Sequence, residues 1–506
     1  MKIALLADPH LSDLQNTPQE ESLDWALYEL ERLRPDACVW LGDITAGGSA
    51  DAAMRFLKKV ERLPFPSVTV PGNSDIRSPE SAPIMERFLS NYQKGLKLAG
   101  ARIVGVNTSH NFIYENERER LQKLDIHENV LLCSHQSAKY LKGDSLAFLK
   151  DWIAGVEKKG YRVLAWVHGH SHVYREGEFE GIPTFSLCAL DIDKNKGDAH
   201  FCMMSVNEND EPVLEEIRYC RGTLSRWNEA ERQSLRDALG ISCYHVEEDM
   251  AFAIEHKVRH LEWRSVHPDC LSLLEQWRQG VGESFSLHFP TPDWDGNAVI
   301  GMEKFKQFAD FAMLARADMI TVHPPEISNE IMLQTAAFDL IADAVADVLR
   351  PVVQAGIDVL VENNHTQQET PVDPLMRRYG CSPLEMVGWR NALNERLGKD
   401  ACHLRFDVGH ARNNEPLNEP YPIGKWYALI GSEIHGYHLH QVVVDPEAKA
   451  MRNHAPILGI HDGFISFDGF LWAWRDGLLK HAPVILEIRD GEGACETWKR
   501  LQSLLK

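Results

Sequence analysis

The sequence predicts an α/β protein in two parts, an α/β sandwich followed by a C-terminal (β/α)8 barrel. Three observations carry this expectation. With 506 residues, the chain exceeds what one core supports, since single cores stop growing at roughly 250–300 residues. Up to Tyr219, apolar strand-like runs alternate with helical spacing. A fresh alternation starts near Ile241 and supplies eight strand–helix units over roughly 270 residues, the size of such a barrel.

The elements follow in order. Lys2–Ala7 reads as a buried strand, and Glu20–Leu33 as a helix with Leu23, Leu27 and Leu30 on one face. Ala37–Leu41, Ser67–Val70, Arg102–Val106, Val130–Cys133 and Val163–Val167 continue the strand pattern. Ile182–Leu187, Ala199–Val206 and Val213–Tyr219 close the sheet, with Asn207–Asp210 as a hairpin turn. The polar stretch Arg221–Asn228 marks the boundary, which gives domains of residues 1–222 and 229–506. The expected barrel strands are Ser242–Val246, His260–Trp263, Phe285–Phe289, Met319–Val322, Asp358–Val361, His403–Phe406, Tyr437–Leu439 and Val484–Ile488.

Composition narrows the function. Apolar residues make up 44% and charged residues 25%, enough for two real cores. The net charge of -21 disfavours general nucleic-acid binding, because an acidic surface repels phosphate backbones. The apolar run Ile3–Ala7 is too short for a secretory signal, and no stretch approaches 18 apolar residues, so no membrane span is expected. None of the ten cysteines forms a C-x-x-C pair. They read as reduced thiols, and a cytoplasmic location is expected. The sequence sets no oligomeric state.

The first part delivers metal-ligand residue types at strand ends. Asp8-x-His10 follows the first strand, Gly42-Asp43 the second and Gly72-Asn73-Ser74-Asp75 the third. His135 and Gly169-His170-Ser171-His172 follow later strands. Strand ends converge in the crevice where α/β sites lie. A bridging carboxylate with imidazoles and an amide oxygen can hold two divalent ions about 3.5–4 Å apart and generate hydroxide near neutral pH.

This ordered set resembles the calcineurin-like metallophosphoesterase family over roughly residues 1–220. The resemblance implies a metallophosphoesterase sandwich with Asp8, His10 and His172 on one metal and Asn73, His135 and His170 on the other, Asp43 bridging. It also implies Asp43, Asn73 and Asp75 as catalytic residues. Ser74 stands where the family often has a histidine that protonates the leaving group or steadies the phosphoryl oxygens. Carboxylate and imidazole ligands without thiolate suit Mn, Fe, Zn or Co.

The barrel strand ends carry a second polar set. It comprises Glu262, His288, His323, Glu362, Asp407 with His410, His438 with His440, and Glu487. Leu360-Val361-Glu362-Asn363, Asp407-x-x-His410 and Tyr437-His438-Leu439-His440, followed by Asn453-His454-Ala455-Pro456, resemble the xylose-isomerase-like TIM barrels. That superfamily includes sugar epimerases and the AP endonuclease family. The resemblance implies Glu362, Asp407, His438 and Glu487 as ligands of one or more divalent ions, with His288, His323 and His454 as further ligands. Glu362, Glu487 and His410 are the catalytic residues it implies. The endonuclease branch has an aspartate where Arg452 stands, and a cation there would repel a third ion.

The function expected is therefore a bifunctional metalloenzyme. Its first domain hydrolyses a small-molecule phosphoester, diester or monoester. Its barrel carries out metal-dependent isomerase or epimerase chemistry on a sugar-like, phosphorylated substrate. Two alternatives stand beside it. Both domains could be phosphoesterases, the barrel acting on nucleic-acid ends, or one domain could be a non-catalytic binding module, for which Ser74 is the main support.

Overall fold

A computed structural model describes residues 1–15, 17–79, 82–89, 91–195, 199–207, 211–219, 227–296, 298–366, 375–415, 417–418, 420–444, 451–460, 463–489 and 491–506. The chain forms two compact units, residues 1–222 with 466–469, and residues 223–465 with 470–506. Residues 208–210 of the expected hairpin turn and residues 221–226 of the expected boundary lie outside the described residues.

The first unit contains β1 (Lys2–Leu6), β2 (Ala37–Trp40), β3 (Ser67–Thr69), β4 (Leu96–Leu98), β5 (Ala101–Val106), β6 (Asn129–Ser134), β7 (Val163–His168), β8 (Arg175–Phe179), β9 (Ile182–Ser186), β10 (His200–Val206) and β11 (Pro212–Arg218). They form two sheets, ordered β11-β10-β1-β2-β3 and β4-β5-β6-β7-β9-β8. Ile3, Leu5 and Val39 of one sheet pack with Ile103, Leu131 and Val167 of the other in one buried cluster, which makes this unit a sandwich. Helices cover the outer faces. Pro18–Leu33 starts at Thr17, whose hydroxyl accepts from the Glu20 amide at 3.3 Å, and buries Leu23, Ala26 and Leu30. The helix Ser145–Lys158 lays Leu149, Ile153 and Val156 on the other sheet. The strands β4 and β8 carry no legible pattern; β8 (Arg-Glu-Gly-Glu-Phe) is a largely solvent-facing edge strand paired antiparallel to β9.

The second unit begins with the helix Glu229–Ala238, capped by an Asn228–Glu231 capping box. Its strands are β12 (Leu239–Cys243), β13 (His260–Trp263), β14 (Ser284–His288), a hairpin of β15 (Asp293–Trp294) and β16 (Val299–Ile300), β17 (Met319–Val322), β18 (Asp358–Glu362), β19 (Cys402–Asp407), β20 (Ile434–Leu439), a hairpin of β21 (Gln441–Val444) and β22 (Met451–Ala455), and β23 (Val484–Leu486). Eight of them close a parallel barrel, β12-β13-β14-β17-β18-β19-β20-β23. The first barrel strand lies three residues earlier than the apolar pattern places it. Asp249 accepts from the amides of Tyr244 and His245 at 2.9 Å each, ending the strand, and Val246 opens the next helix.

At the strand starts of the barrel, His403 on β19 and His435 on β20 stack with centroids 3.8 Å apart. Lys480 Nζ lies 2.5 Å from His435 Nε2. Burial, His403, Lys480 and Arg390 together lower His435 to about 4 from 6.5. A group depressed in the folded state favours its neutral form there, so stability present above 6.5 is lost as the pH falls toward 4. The urea midpoint of His435→Gln is therefore expected to fall less than that of the parent between pH 7 and pH 4.5. Equal losses in the two proteins would refute it.

Candidate metal centres

The first centre is assembled by loops at the C-terminal edges of both sheets. Asp8 and His10 follow β1, Asp43 follows β2, Asn73 follows β3, His135 follows β6, and His170 and His172 follow β7. The loops interlock through their backbones. Asp8 N donates to Gly42 O at 3.1 Å, and His10 N to Asp43 O at 3.0 Å. Asp8, His10, Asp43, His170 and His172 all take left-handed backbone, with φ of 54, 46, 49, 69 and 53°. Gly72 has to be glycine, because a Cβ there would lie 2.1 Å from Asp43 Oδ1.

These side chains form two overlapping groups. Atoms of Asp8, His10, Asp43 and His172 lie within 4.8 Å of one another, and so do atoms of Asp43, His135 and His170. Asp43 belongs to both, with Oδ2 3.3 Å from His10 Nε2 and Oδ1 3.4 Å from His135 Nε2. Asn73 Oδ1 lies 3.1 Å and His170 Nδ1 3.2 Å from the same His135 nitrogen. His135 Nδ1 faces the Leu41 carbonyl at 2.7 Å, so its Nε2 is the atom presented to the group.

The charges match a cation-holding site. Burial raises Asp8 to about 6 against the pull of His135. Burial also opposes ionisation of Asp43, but His135 and His10 outweigh it and hold that carboxyl well below the usual range. Burial would lower His135, yet Asp43 and Asp8 raise it to about 9. A bound cation would do what this extra proton does here.

Three neighbours refine the picture. Ser74 is buried, and both its amide and its hydroxyl donate to Asp43, at 2.7 and 2.9 Å. Asp75 stands behind the centre. One oxygen accepts from Thr45 N and the other from Gly72 N, each at 2.8 Å, so it braces two ligand loops. Asp191 is absent from the sequence expectation. Its Oδ2 lies 3.4 Å from His10 Nδ1, with Gln19 donating to its other oxygen at 3.1 Å. Only its place after β9 marks it, because Leu190-Asp191 matches no motif.

The barrel mouth holds a denser set. Glu262 on β13 sits lowest. Its Oε2 accepts from Ser286 Oγ at 2.9 Å, Thr321 Oγ1 at 2.8 Å and the guanidinium of Arg405, while Oε1 lies 2.8 Å from His438 Nε2. That leaves His438 Nδ1 facing the mouth, 2.9 Å from Glu362 Oε1 and 2.7 Å from Glu487 Oε2. These three atoms are buried without a hydrogen-bond partner among the described residues, as expected of ligands arranged around a cation. His288 and His323 approach Glu362 Oε2 at 3.1 and 3.4 Å.

Asp407 sits to one side. Its carboxylate lies 3.1 Å from His440 and 3.6 Å from His410 and caps the short helix Val408–Arg412. His410, His440 and His454 bring nitrogens within 4.8 Å of one another. His440 fits because Gly409 carries no Cβ, which would lie 1.9 Å from its ring. Arg452 is exposed, while His454, two residues on, is buried. Burial opposes ionisation of Glu362 and Glu487, but His438 with His323 at the first, and Arg264 with His438 at the second, hold both well below the usual range. Sequence reasoning missed Arg264 and Arg405, which no motif marks.

The family model for calcineurin-like phosphoesterases matches residues 1–174. Residues 1–174 are a calcineurin-like phosphoesterase domain. Such phosphoesterase domains are metal-dependent hydrolases. No curated protein matches the chain in sequence. Solved structures similar to the chain include a D-tagatose 3-epimerase-like protein, at 17% identity over 53% of this chain and 97% of that chain, with a TM-score of 0.36. A xylose isomerase-like TIM barrel protein from Mycobacterium smegmatis in complex with magnesium matches at 17% identity, over 51% and 87%, with a TM-score of 0.36. An AP endonuclease, family 2, from Brucella melitensis matches at 16%, over 52% and 98%, with a TM-score of 0.35. The second unit is a TIM barrel by its own closed strand pairing.

Proposed function

We propose that the chain is a bifunctional metalloenzyme whose phosphoesterase domain hydrolyses a small-molecule phosphoester with two divalent ions. The observation that carries this is Asp43, one carboxylate shared by two ligand groups. Asp8, His10 and His172 would hold one ion, and Asn73, His135 and His170 the other. Two such ions polarise the phosphoryl oxygens and supply the hydroxide. The chain's own part is to fix both ion positions: Leu41 O orients His135, Asp191 orients His10, and Asp75 ties the loops together.

For the barrel, the reading is isomerase- or epimerase-type chemistry on a sugar-like substrate. Glu362 and Glu487 flank His438 Nδ1 and would share an ion with it, and the two carboxylates would also serve as acid and base. A second reading, phosphoester hydrolysis in the barrel too, is favoured by one observation. His288 with His323, and His410 with His440 and His454, offer further ligand sets beside that ion.

Elemental analysis of the full chain, with a panel of phosphomonoesters and phosphodiesters, tests both. Phosphoester hydrolysis with two ions beyond the barrel's complement is expected. One barrel ion supports the isomerase reading, and two or three support hydrolysis. Glu487→Gln should lower the metal count and leave phosphodiesterase turnover within about twofold, because that chemistry resides in the other unit. An unchanged metal count would remove Glu487 from the ligand set.

A further inference from the structure

We infer that Arg264 and Tyr244 form an oxyanion subsite at the barrel mouth, so that the barrel's substrate carries a phosphate or carboxylate group. This rests on the reading that Glu487 holds a metal ion. Arg264 directly follows β13, and Tyr244 directly follows β12, neighbouring strands of the barrel. The guanidinium lies over the Tyr244 ring, 5.6 Å from its centroid, an arrangement that fixes the plane of the fork.

The two arginines of this region contrast. Arg405 is wholly enclosed and spends its charge on Glu262 and Thr321, below the mouth. Arg264 keeps 24% of its side chain exposed, and its only hydrogen-bond partner among the described residues is one oxygen of Glu487. Its remaining N–H groups have no acceptor there. Tyr244 adds a second donor, because its hydroxyl is buried without a partner among the described residues.

Charge makes this pair a binding site. Once Glu487 gives its charge to a divalent ion, Arg264 is left as a cation with no counter-charge of its own. A guanidinium so placed, with free donors in one plane, is complementary to the oxygens of phosphate or carboxylate. Phosphorylated sugars, sugar acids and phosphoesters all carry such a group, whereas a neutral sugar does not.

The test uses the full chain carrying Asp43→Asn, which weakens phosphate binding at the other centre. The metal-loaded protein is titrated by calorimetry with inorganic phosphate and, separately, with acetate. The comparison is repeated with Arg264→Gln, Arg264→Lys and Tyr244→Phe added. Arg264→Gln is expected to weaken phosphate binding at least about tenfold, Arg264→Lys less and Tyr244→Phe several-fold, with the metal count unchanged. A loss that falls on acetate more than on phosphate keeps the oxyanion subsite and assigns it to carboxylate. Affinities within twofold of the parent overturn the proposal. Metal loss in Arg264→Gln also overturns it, because the arginine then serves Glu487 and no ligand. A parent barrel without metal defeats the proposed function separately, while the arginine dependence of phosphate binding still decides the subsite.

Discussion

Replacing Asp43 by asparagine is expected to lower phosphoester turnover by about 100- to 1000-fold with the fold preserved. The size follows from what the carboxylate does. Its two oxygens face two different ligand groups, at 3.3 Å from His10 and 3.4 Å from His135. An amide offers one acceptor oxygen, so the variant could no longer present a ligand oxygen to both groups that would hold the ions, and the hydroxide those ions would supply would be lost. Losing a single preorganised electrostatic contact already costs turnover of this order. Folding should survive, because the introduced side-chain amide can keep its oxygen toward the Ser74 backbone N–H while the Ser74 hydroxyl rotates to accept. Steady-state turnover with a model phosphodiester, beside thermal unfolding, checks this. Retention of more than a tenth of the parent's turnover would show that Asp43 does not bridge.

The largest effect on stability is expected at Glu262. This carboxylate receives Arg405, Ser286, Thr321 and His438, all within the closed barrel. Glu262→Ala leaves the enclosed Arg405 guanidinium without its counter-charge, a loss of about 3–5 kcal/mol for a buried pair broken on one side. His438 also loses the acceptor that directs Nδ1 at Glu362 and Glu487, so barrel metal affinity should fall by about 10- to 100-fold. Combining Glu262→Ala with Arg405→Met should recover part of the stability but none of the metal affinity. Recovery of both would make Glu262 a partner of Arg405 alone. Denaturant melts followed by metal titration separate the two contributions.

Much of this architecture is legible in the sequence, because parallel strands buried on both faces read as short apolar runs with a polar residue at the end. Val-Leu-Val-Glu362 and Ala-Leu-Leu-Ala-Asp8 are such runs, and the backbone carries each carboxylate to a strand end. The edge strand β8 and the hairpin β15–β16 escape this reading, since they are short or largely exposed, and the hairpin β21–β22 escapes it because its strands carry polar residues among the apolar ones. Asp191, Arg264 and Arg405 escape it for another reason. Their partners, His10, Glu487 and Glu262, lie far away in sequence, and only the closed fold brings them together. Arg405 even contradicts local expectation, as a charged residue inside a strand that is otherwise buried.

The left-handed backbone at Asp8, His10, Asp43, His170, His172 and His454 has an evolutionary meaning. Each such residue with a side chain gives up roughly 1–2 kcal/mol that glycine would not. Glycine would take these conformations without that cost, but it would bring no ligand atom to either centre. Their clustering at the two centres trades robustness for the placement of ligand side chains. In a descendant, glycines spreading through these positions would date the retirement of one centre, and the two units could be retired independently.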